Sequence, residues 1–397
     1  MSTSHRPDPV PPARLSFGES FRLQTWLLGI IGFGILLYMM VQAKFVLISL
    51  VIAIILFSLT ADAISFVARL RIGPLRIANW LASMVAVMLI ASALLTLSGL
   101  VLSQVNSVLS TTLTYTEQAT FAIAQLFSFM GEDVEAAVLA SLRSIEVSGY
   151  LRSAAGQAGN LLSGVVLVIL FVAFLFAERL WFEIKLENLL GDRAQADRVR
   201  RIIGAIIRSV NYYLLVKTAV SAVTGIAVWF IMWMLGLEFA VAMGVITFML
   251  NFIPNIGSIV ATMMVAVVTY IQVADPMITL GVFMVAGAVQ FTIGNIIDPW
   301  LMGRALRLSS FGIIISLAFW GLVWGIPGMF LAVPIMVAVM IVCSQIPQAR
   351  PVAVLLSREG LPDSETDADT GVLVTPAPEA TPAPRPSAQA DARKPAA

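Results

Sequence analysis

From Ser209 to Gly303 the chain runs for 95 residues with four charged side chains, Lys217, Glu238, Asp275 and Asp298. A water-soluble domain cannot cover itself with so little charge, whereas a lipid-spanning helix needs about 20 predominantly apolar residues. The same scarcity recurs upstream. Only Lys44 interrupts Leu23 to Ala61, and no charge falls between Ile77 and Thr116 or between Ser153 and Ala177. Across the whole chain 12% of residues are charged, about half the soluble norm of roughly 25%. These gaps predict six full spans near 24–43, 45–62, 78–102, 158–177, 211–235 and 278–297. The first run is too long for a secretory signal, lacks a small-residue cleavage site and is followed at once by a second span, so it reads as a span. The sole cysteine, Cys343, lies in an apolar run and the sole histidine, His5, in a proline-rich leader. That argues against a disulfide framework, a zinc site or a Ser-His-Asp triad, so no metal, no cofactor and no enzyme activity are expected. A net charge of +1 gives no reason to expect a nucleic-acid partner.

Lysine and arginine placement sets the orientation. With the amino terminus in the cytoplasm, the inner loops collect 17 basic residues and the outer loops 3, namely Lys44, Arg143 and Arg152. The positive-inside rule then puts both termini in the cytoplasm.

Two apolar stretches, Phe239–Val273 and Phe311–Ser344, are too long for single spans. Each would make roughly 50 Å of helix against a hydrocarbon core of about 30 Å. Both are interrupted, the first at Asn251-Phe-Ile-Pro254-Asn255-Ile-Gly257-Ser258 and the second at Gly325-Ile-Pro327-Gly328, with Pro334 further on. Proline removes a backbone donor and glycine admits a sharp turn, so each stretch is expected to fold as a re-entrant hairpin, with Gly325, Pro327, Gly328 and Pro334 forming the second turn. Sidedness makes the first hairpin open outward and the second inward. Paired broken segments are the best sequence pointer to a transporter's binding site, because backbone groups freed in lipid must find partners in protein or in a wet cavity.

This arrangement indicates the expected pathway residues. Asn251, Asn255 and Ser258, with the free carbonyls around Pro254 and Gly257, offer neutral donors and acceptors to a small hydroxylated solute or a dehydrated alkali cation; equally, they could serve only to satisfy the broken backbone. Gln290, Asn295 and Asp298 descend one span towards the cytoplasm. Asp298 reads as a proton or cation relay, or as a helix-end acid paired locally with Arg304, the expected cytoplasmic gate. Lys217, two turns inside the fifth span, either snorkels to the inner headgroups or pairs with Asp298 or an anionic solute.

The remaining chain divides into a disordered cytoplasmic leader (1–22), three spans (23–102), an extracytoplasmic amphipathic helical insertion (103–157), a fourth span with a cytoplasmic helical connector (158–210), the transport core (211–350) and a disordered Pro/Ala-rich tail (351–397). The insertion shows Val134, Val138, Leu142 and Ile145 at helical spacing, and eight of the 19 prolines fall after residue 350. The fold class is therefore an all-α integral membrane protein with six full transmembrane helices, two re-entrant hairpins and an outer helical insertion.

Three ordered motifs make the chain resemble the autoinducer-2 exporter family, the PerM-like permeases. They are Asn251-Phe-Ile-Pro-Asn-Ile-Gly257-Ser258, Gly294-Asn-Ile-Ile-Asp298-Pro-Trp-Leu-Met-Gly303-Arg-Ala-Leu-Arg-Leu-Ser-Ser and Gly321-Leu-Val-Trp-Gly325-Ile-Pro-Gly328-Met-Phe-Leu-Ala-Val-Pro334. The resemblance covers roughly residues 15–357. It implies a multi-pass transporter of the bacterial inner membrane, homo-oligomeric with a pentamer among the candidates. Members similar to this one are linked to export of autoinducer-2 and others to sodium or lithium exchange for protons. The chain is thus expected to be a gradient-driven exporter of a small polar solute; a Na+(Li+)/H+ antiporter and a passive channel or scaffold are the alternatives.

Overall fold

The structure is a computed structural model and describes residues 17–69, 84–104, 147–302, 308–358 and 360. The predicted amphipathic helix at 134–145, Arg304 and the tail beyond 360 lie outside the described residues. Within them the protein is an all-α integral membrane protein. Helices α1 (Phe17–Gln42) and α2 (Lys44–Arg69) are joined at Ala43, followed by α3 (Met84–Gln104), α4 (Val147–Leu190) and α5 (Arg193–Met234). Next come the pairs α6 (Ala240–Leu250) with α7 (Ile256–Val273) and α9 (Ser310–Trp324) with α10 (Ile326–Ser344), separated by α8 (Pro276–Met302). A short α11 (Arg350–Leu356) ends the described fold.

Eight of these helices are long and apolar enough to cross a membrane. They comprise the six expected spans and the second arms α7 and α10. The first arms, α6 and α9, have 11 and 15 residues, about 16 and 22 Å of rise, and neither would cross the hydrocarbon core alone. The chain reverses at both interruptions. In the second pair Ser316 Oγ donates to the Ala332 carbonyl at 2.7 Å across the arms, which only antiparallel neighbours can do.

Local chemistry explains both reversals. Gly325 turns the chain at φ +68°, ψ −144°, a conformation that a Cβ would strain, and Pro327 in the first turn of α10 needs no N–H partner. Gly328 then lets α10 lie directly on α9, where a Cβ would overlap the Trp320 carbonyl oxygen. In the first pair Gly257 plays the same part against the Leu250 carbonyl oxygen. Between those arms Asn255 sits at φ 61°, ψ −50°, and Ile256 N–H donates to the Pro254 carbonyl at 2.7 Å. That is a γ-turn of the rare, strained positive-φ hand.

Three sequence expectations need correction. Pro334 is not part of a turn: it is buried inside α10. The helix continues through it because the missing N–H costs one bond, leaving the Phe330 carbonyl without its usual donor. The tail does not begin at 351. Arg350–Leu356 is helical, with Ala353 and Leu356 in a core cluster beside Val210, Tyr213, Val333 and Val337. Its apolar Val352-Ala-Val-Leu-Leu run and a proline placed in the first turn override the proline-rich character of the downstream sequence. The fourth span expected at 158–177 lies within one unbroken 44-residue helix, α4, which continues into the expected helical connector. The helix passes Gly191 at φ +64° before Asp192 caps α5, accepting from Ala194 N–H at 2.9 Å. The leader is likewise shorter than predicted, since α1 starts at Phe17.

Helix α5 is the spine against which the rest is arranged. Its 42 residues extend about 63 Å, so the charged first third projects beyond the span, where Arg200 pairs with Asp197 and Glu187 at 3.0 and 3.9 Å. Further along, Gly225 and Gly244 let α6 cross α5 at backbone contact: a Cβ on Gly225 would stand 2.7 Å from the Gly244 carbonyl oxygen. Such small-residue crossings replace the hydrophobic driving force that lipid removes.

Candidate functional site

One face of α5 carries polar side chains inside an otherwise apolar span. Tyr213, Lys217 and Ser221 recur every four residues, with Thr224 at the far end, and all four are buried, as is Asn211 on another side of the helix. Residues spaced by four stack along one helix face, so a polar stripe about 17 Å long runs from Tyr213 to Thr224. Three of these residues, Asn211, Lys217 and Ser221, have polar partners on other elements. Ser58 Oγ on α2 donates to Asn211 Oδ1 at 2.8 Å. Lys217 Nζ donates to Asp298 Oδ2 at 2.7 Å, the two side chains being 5% and 15% exposed. One turn further, Asn251 Nδ2, at the first helix break, donates to Ser221 Oγ at 3.1 Å.

Asp298 reaches Lys217 because α8 runs antiparallel to α5 along this seam. Tyr212 Oη donates to the Leu301 carbonyl at 2.8 Å, and Val216 and Val220 cluster with Ile293, Val289, Leu301 and Met302. These apolar neighbours exclude water from the ion pair and so strengthen its attraction. Immediately before Asp298, residues Ile293–Ile297 form a π-helical turn in which Asp298 N–H donates to the Ile293 carbonyl. Such bulges are frequent at functional sites, because they displace a side chain from its α-helical register.

The pair is incompletely solvated by protein. Asp298 Oδ1, Tyr213 Oη and Gln290 Nε2 are buried and have no hydrogen-bond partner in the structure. A buried ion pair is favourable only when its remaining lone pairs and protons are satisfied, so these three atoms leave hydrogen-bonding capacity unspent inside the helices.

The two helix breaks also meet. Phe252, at the first, stacks on Phe330 of α10 with ring centroids 5.9 Å apart and planes at 22°. Ile253 buries itself among Leu317, Trp320, Val323, Trp324 and Leu331 of the second pair. The expected pathway residues are therefore divided. Asn251, Lys217 and Asp298 join a single connected stripe with Gln290 buried beside it on α8. Asn255 is exposed, and Ser258 is half-buried, its hydroxyl spent on the Asn255 carbonyl at 3.0 Å. Asn295 is exposed and donates back to the Phe291 carbonyl at 3.1 Å. Of the alternatives open for Lys217 and Asp298, the long-range pair is the one adopted. Sequence reasoning missed Tyr213 and Ser221, although their four-residue spacing about Lys217 was a usable signal.

A multi-pass helical membrane protein with two broken helix pairs meeting beside a buried, charged stripe has the architecture of a membrane transporter. Residues 26–348 match the AI-2E family transporter family, and the chain belongs to that family. It is 33% identical over 203 residues to the AI-2 transport protein TqsA of Escherichia coli strain K12, covering 51% of this chain and 57% of TqsA. It is 32% identical over 223 residues to a putative transport protein of Borreliella burgdorferi, covering 54% and 60% of the two chains. The E. coli putative transport protein YhhT is 35% identical over 131 residues, covering 32% of this chain and 37% of YhhT. The matched region thus spans between about a third and three fifths of these curated relatives.

Proposed function

We propose that the protein is a gradient-driven exporter of a small polar solute of the autoinducer-2 type. It would sit in the bacterial inner membrane as a homo-oligomer with both termini cytoplasmic. The α6–α7 pair enters from outside and the α9–α10 pair from inside, each as a re-entrant hairpin. The observation that carries this reading is the convergence of both helix breaks beside the α5 stripe. Neutral donors and acceptors at Asn251 and Ser221 adjoin the Lys217–Asp298 pair there, next to Gln290. Opposed broken helices of this kind let one site face either side in turn, with backbone polarity freed where a polar solute must be held. The relative TqsA, by its name an AI-2 transport protein, supports the choice of solute. The burial of Lys217, Ser221 and Asn251 supports a carrier over an open pore.

Purified protein in liposomes under an imposed pH gradient tests the proposal. Saturable movement of autoinducer-2, with exchange against solute on the far side, is expected. Saturable sodium movement without autoinducer-2 transport would instead make the protein a Na+/H+ antiporter, and unsaturable flux would make it a channel.

A further inference from the structure

We infer that Asp298 is the binding site of the coupling proton, with Lys217 as its built-in counter-cation and Tyr213 as the hydroxyl that engages the carboxyl once Lys217 lets go. This rests on the proposed export function and goes further, because it names the coupling ion and the residues that carry it.

The first argument is charge. Asp298 is the only described carboxylate on this seam, and the Lys217 ammonium already occupies the position, 2.7 Å from Oδ2, that a bound alkali ion would need. A sodium ion would have to displace a covalently tethered cation from that position. A proton has no such difficulty. It adds to the carboxylate, cancels the charge that holds Lys217, and leaves a neutral acid that can donate a hydrogen bond.

The second argument is the unfinished hydrogen bonding. A purely structural buried pair has its spare lone pairs satisfied, yet here Asp298 Oδ1 and the Tyr213 hydroxyl are both buried without partners. Tyr213 lies one turn from Lys217 on the same face of α5, and its hydroxyl, unlike that of Ser221, which accepts from Asn251, is unspent.

The third argument is mechanical. The π-turn at Ile293–Ile297 directly precedes Asp298. Moving the extra residue along a helix rotates the segment beyond it, so α8 has a built-in way to carry Asp298 off Lys217 without unfolding. Few other ionisable groups could take over the role. The elements packed around Tyr213 present Val333, Val337, Met340, Ala353 and Leu356, and Asn211 and Ser58 on the α2 side are neutral. Besides Lys217, the described charges nearest in sequence to this cluster are Arg208, two residues before Val210, and Arg350 and Arg358 at the two ends of α11.

Proteoliposomes carrying an entrapped pH-sensitive dye, with labelled autoinducer-2 as the solute, separate coupling from binding. In Asp298→Asn, accumulation driven by a pH gradient and the solute-induced proton flux should each fall at least tenfold, and the number of protons moved per solute exchanged should fall with them. The neutral pair Lys217→Gln with Asp298→Asn should restore any counterflow lost in the single variant through an unbalanced Lys217, and should remain uncoupled. Tyr213→Phe should shift the pH dependence of accumulation. Gradient-driven accumulation at the wild-type level in Asp298→Asn would overturn the inference while leaving export intact. So would a well-folded double variant that has lost counterflow, since the pair would then bind solute rather than couple. Wild-type vesicles without any autoinducer-2 exchange would overturn the export function itself.

Discussion

Replacing Gly257 with alanine should loosen the first helix pair, by an amount the structure bounds. The new Cβ would overlap the Leu250 carbonyl oxygen and lie 2.6 Å from its carbon. The obstacle is backbone, so no side-chain rotation relieves it and the α6 and α7 arms must separate. Forcing an extra methyl into a close-packed site costs about 1–3 kcal/mol. Alanine's better helix propensity returns roughly 0.5–1 kcal/mol, leaving a net loss of about 1–2 kcal/mol. Gly281 is the control, because it lies in α8 with nothing within 4 Å of its would-be Cβ. Gly281→Ala should therefore gain the propensity term alone. The two variants should differ by about 2 kcal/mol, a separation in melting temperature on the order of 5 °C. Thermal unfolding of both in the same detergent reads this directly. If both melting temperatures move together, the arms do not approach as closely as the geometry requires and the reasoning fails.

Other perturbations probe separate parts of the molecule. Lys217→Ala strands a buried carboxylate and should cost about 3–5 kcal/mol, whereas Lys217→Met with Asp298→Leu should recover most of it, because removing both charges also removes their desolvation penalty; denaturation in detergent compares them. Ending the chain after Ala349 rather than after Gly360 removes the buried Ala353 and Leu356 and should cost roughly 2–3 kcal/mol, visible as a lower melting temperature on size-exclusion chromatography after heating. Asn255→Gly should hold or raise stability, since it relieves a positive-φ turn, while Asn255→Val should lose about 1–3 kcal/mol there.

Much of the architecture was legible because lipid makes the code simple. Charge gaps located the spans, and Pro254 with Gly257, and Gly325 with Pro327, located the breaks. Apolar helices with no water to hydrogen-bond them leave few alternatives. What escaped were relations that one-dimensional spacing does not carry. Lys217 and Asp298 are 81 residues apart, and only the antiparallel seam of α5 and α8 makes them partners. Pro334 and Pro351 look alike as helix breakers, yet one sits within a helix held by its neighbours and the other begins a short helix. At Pro334 the interior cost is about 3 kcal/mol and tertiary packing outweighs it, whereas Pro351, in a first turn, removes no helical hydrogen bond. Tyr213 was readable in principle, since it and Ser221 flank Lys217 at four-residue intervals, but a hydroxyl in an apolar helix signals nothing until its neighbours are known. The strain at Asn255 could not be read at all, because asparagine occupies many turn conformations.

Transport in this scheme depends on the two helix breaks meeting and then moving against one another. Cysteines at positions 252 and 330, in a chain whose sole native cysteine has been changed by Cys343→Ala, place thiols where the stacked rings now lie. A short bifunctional thiol reagent should join them rapidly, stop solute exchange in proteoliposomes, and be reversed by reductant with exchange restored. Complete cross-linking with exchange undiminished, or no cross-linking in a protein that exchanges normally, would be incompatible with that scheme.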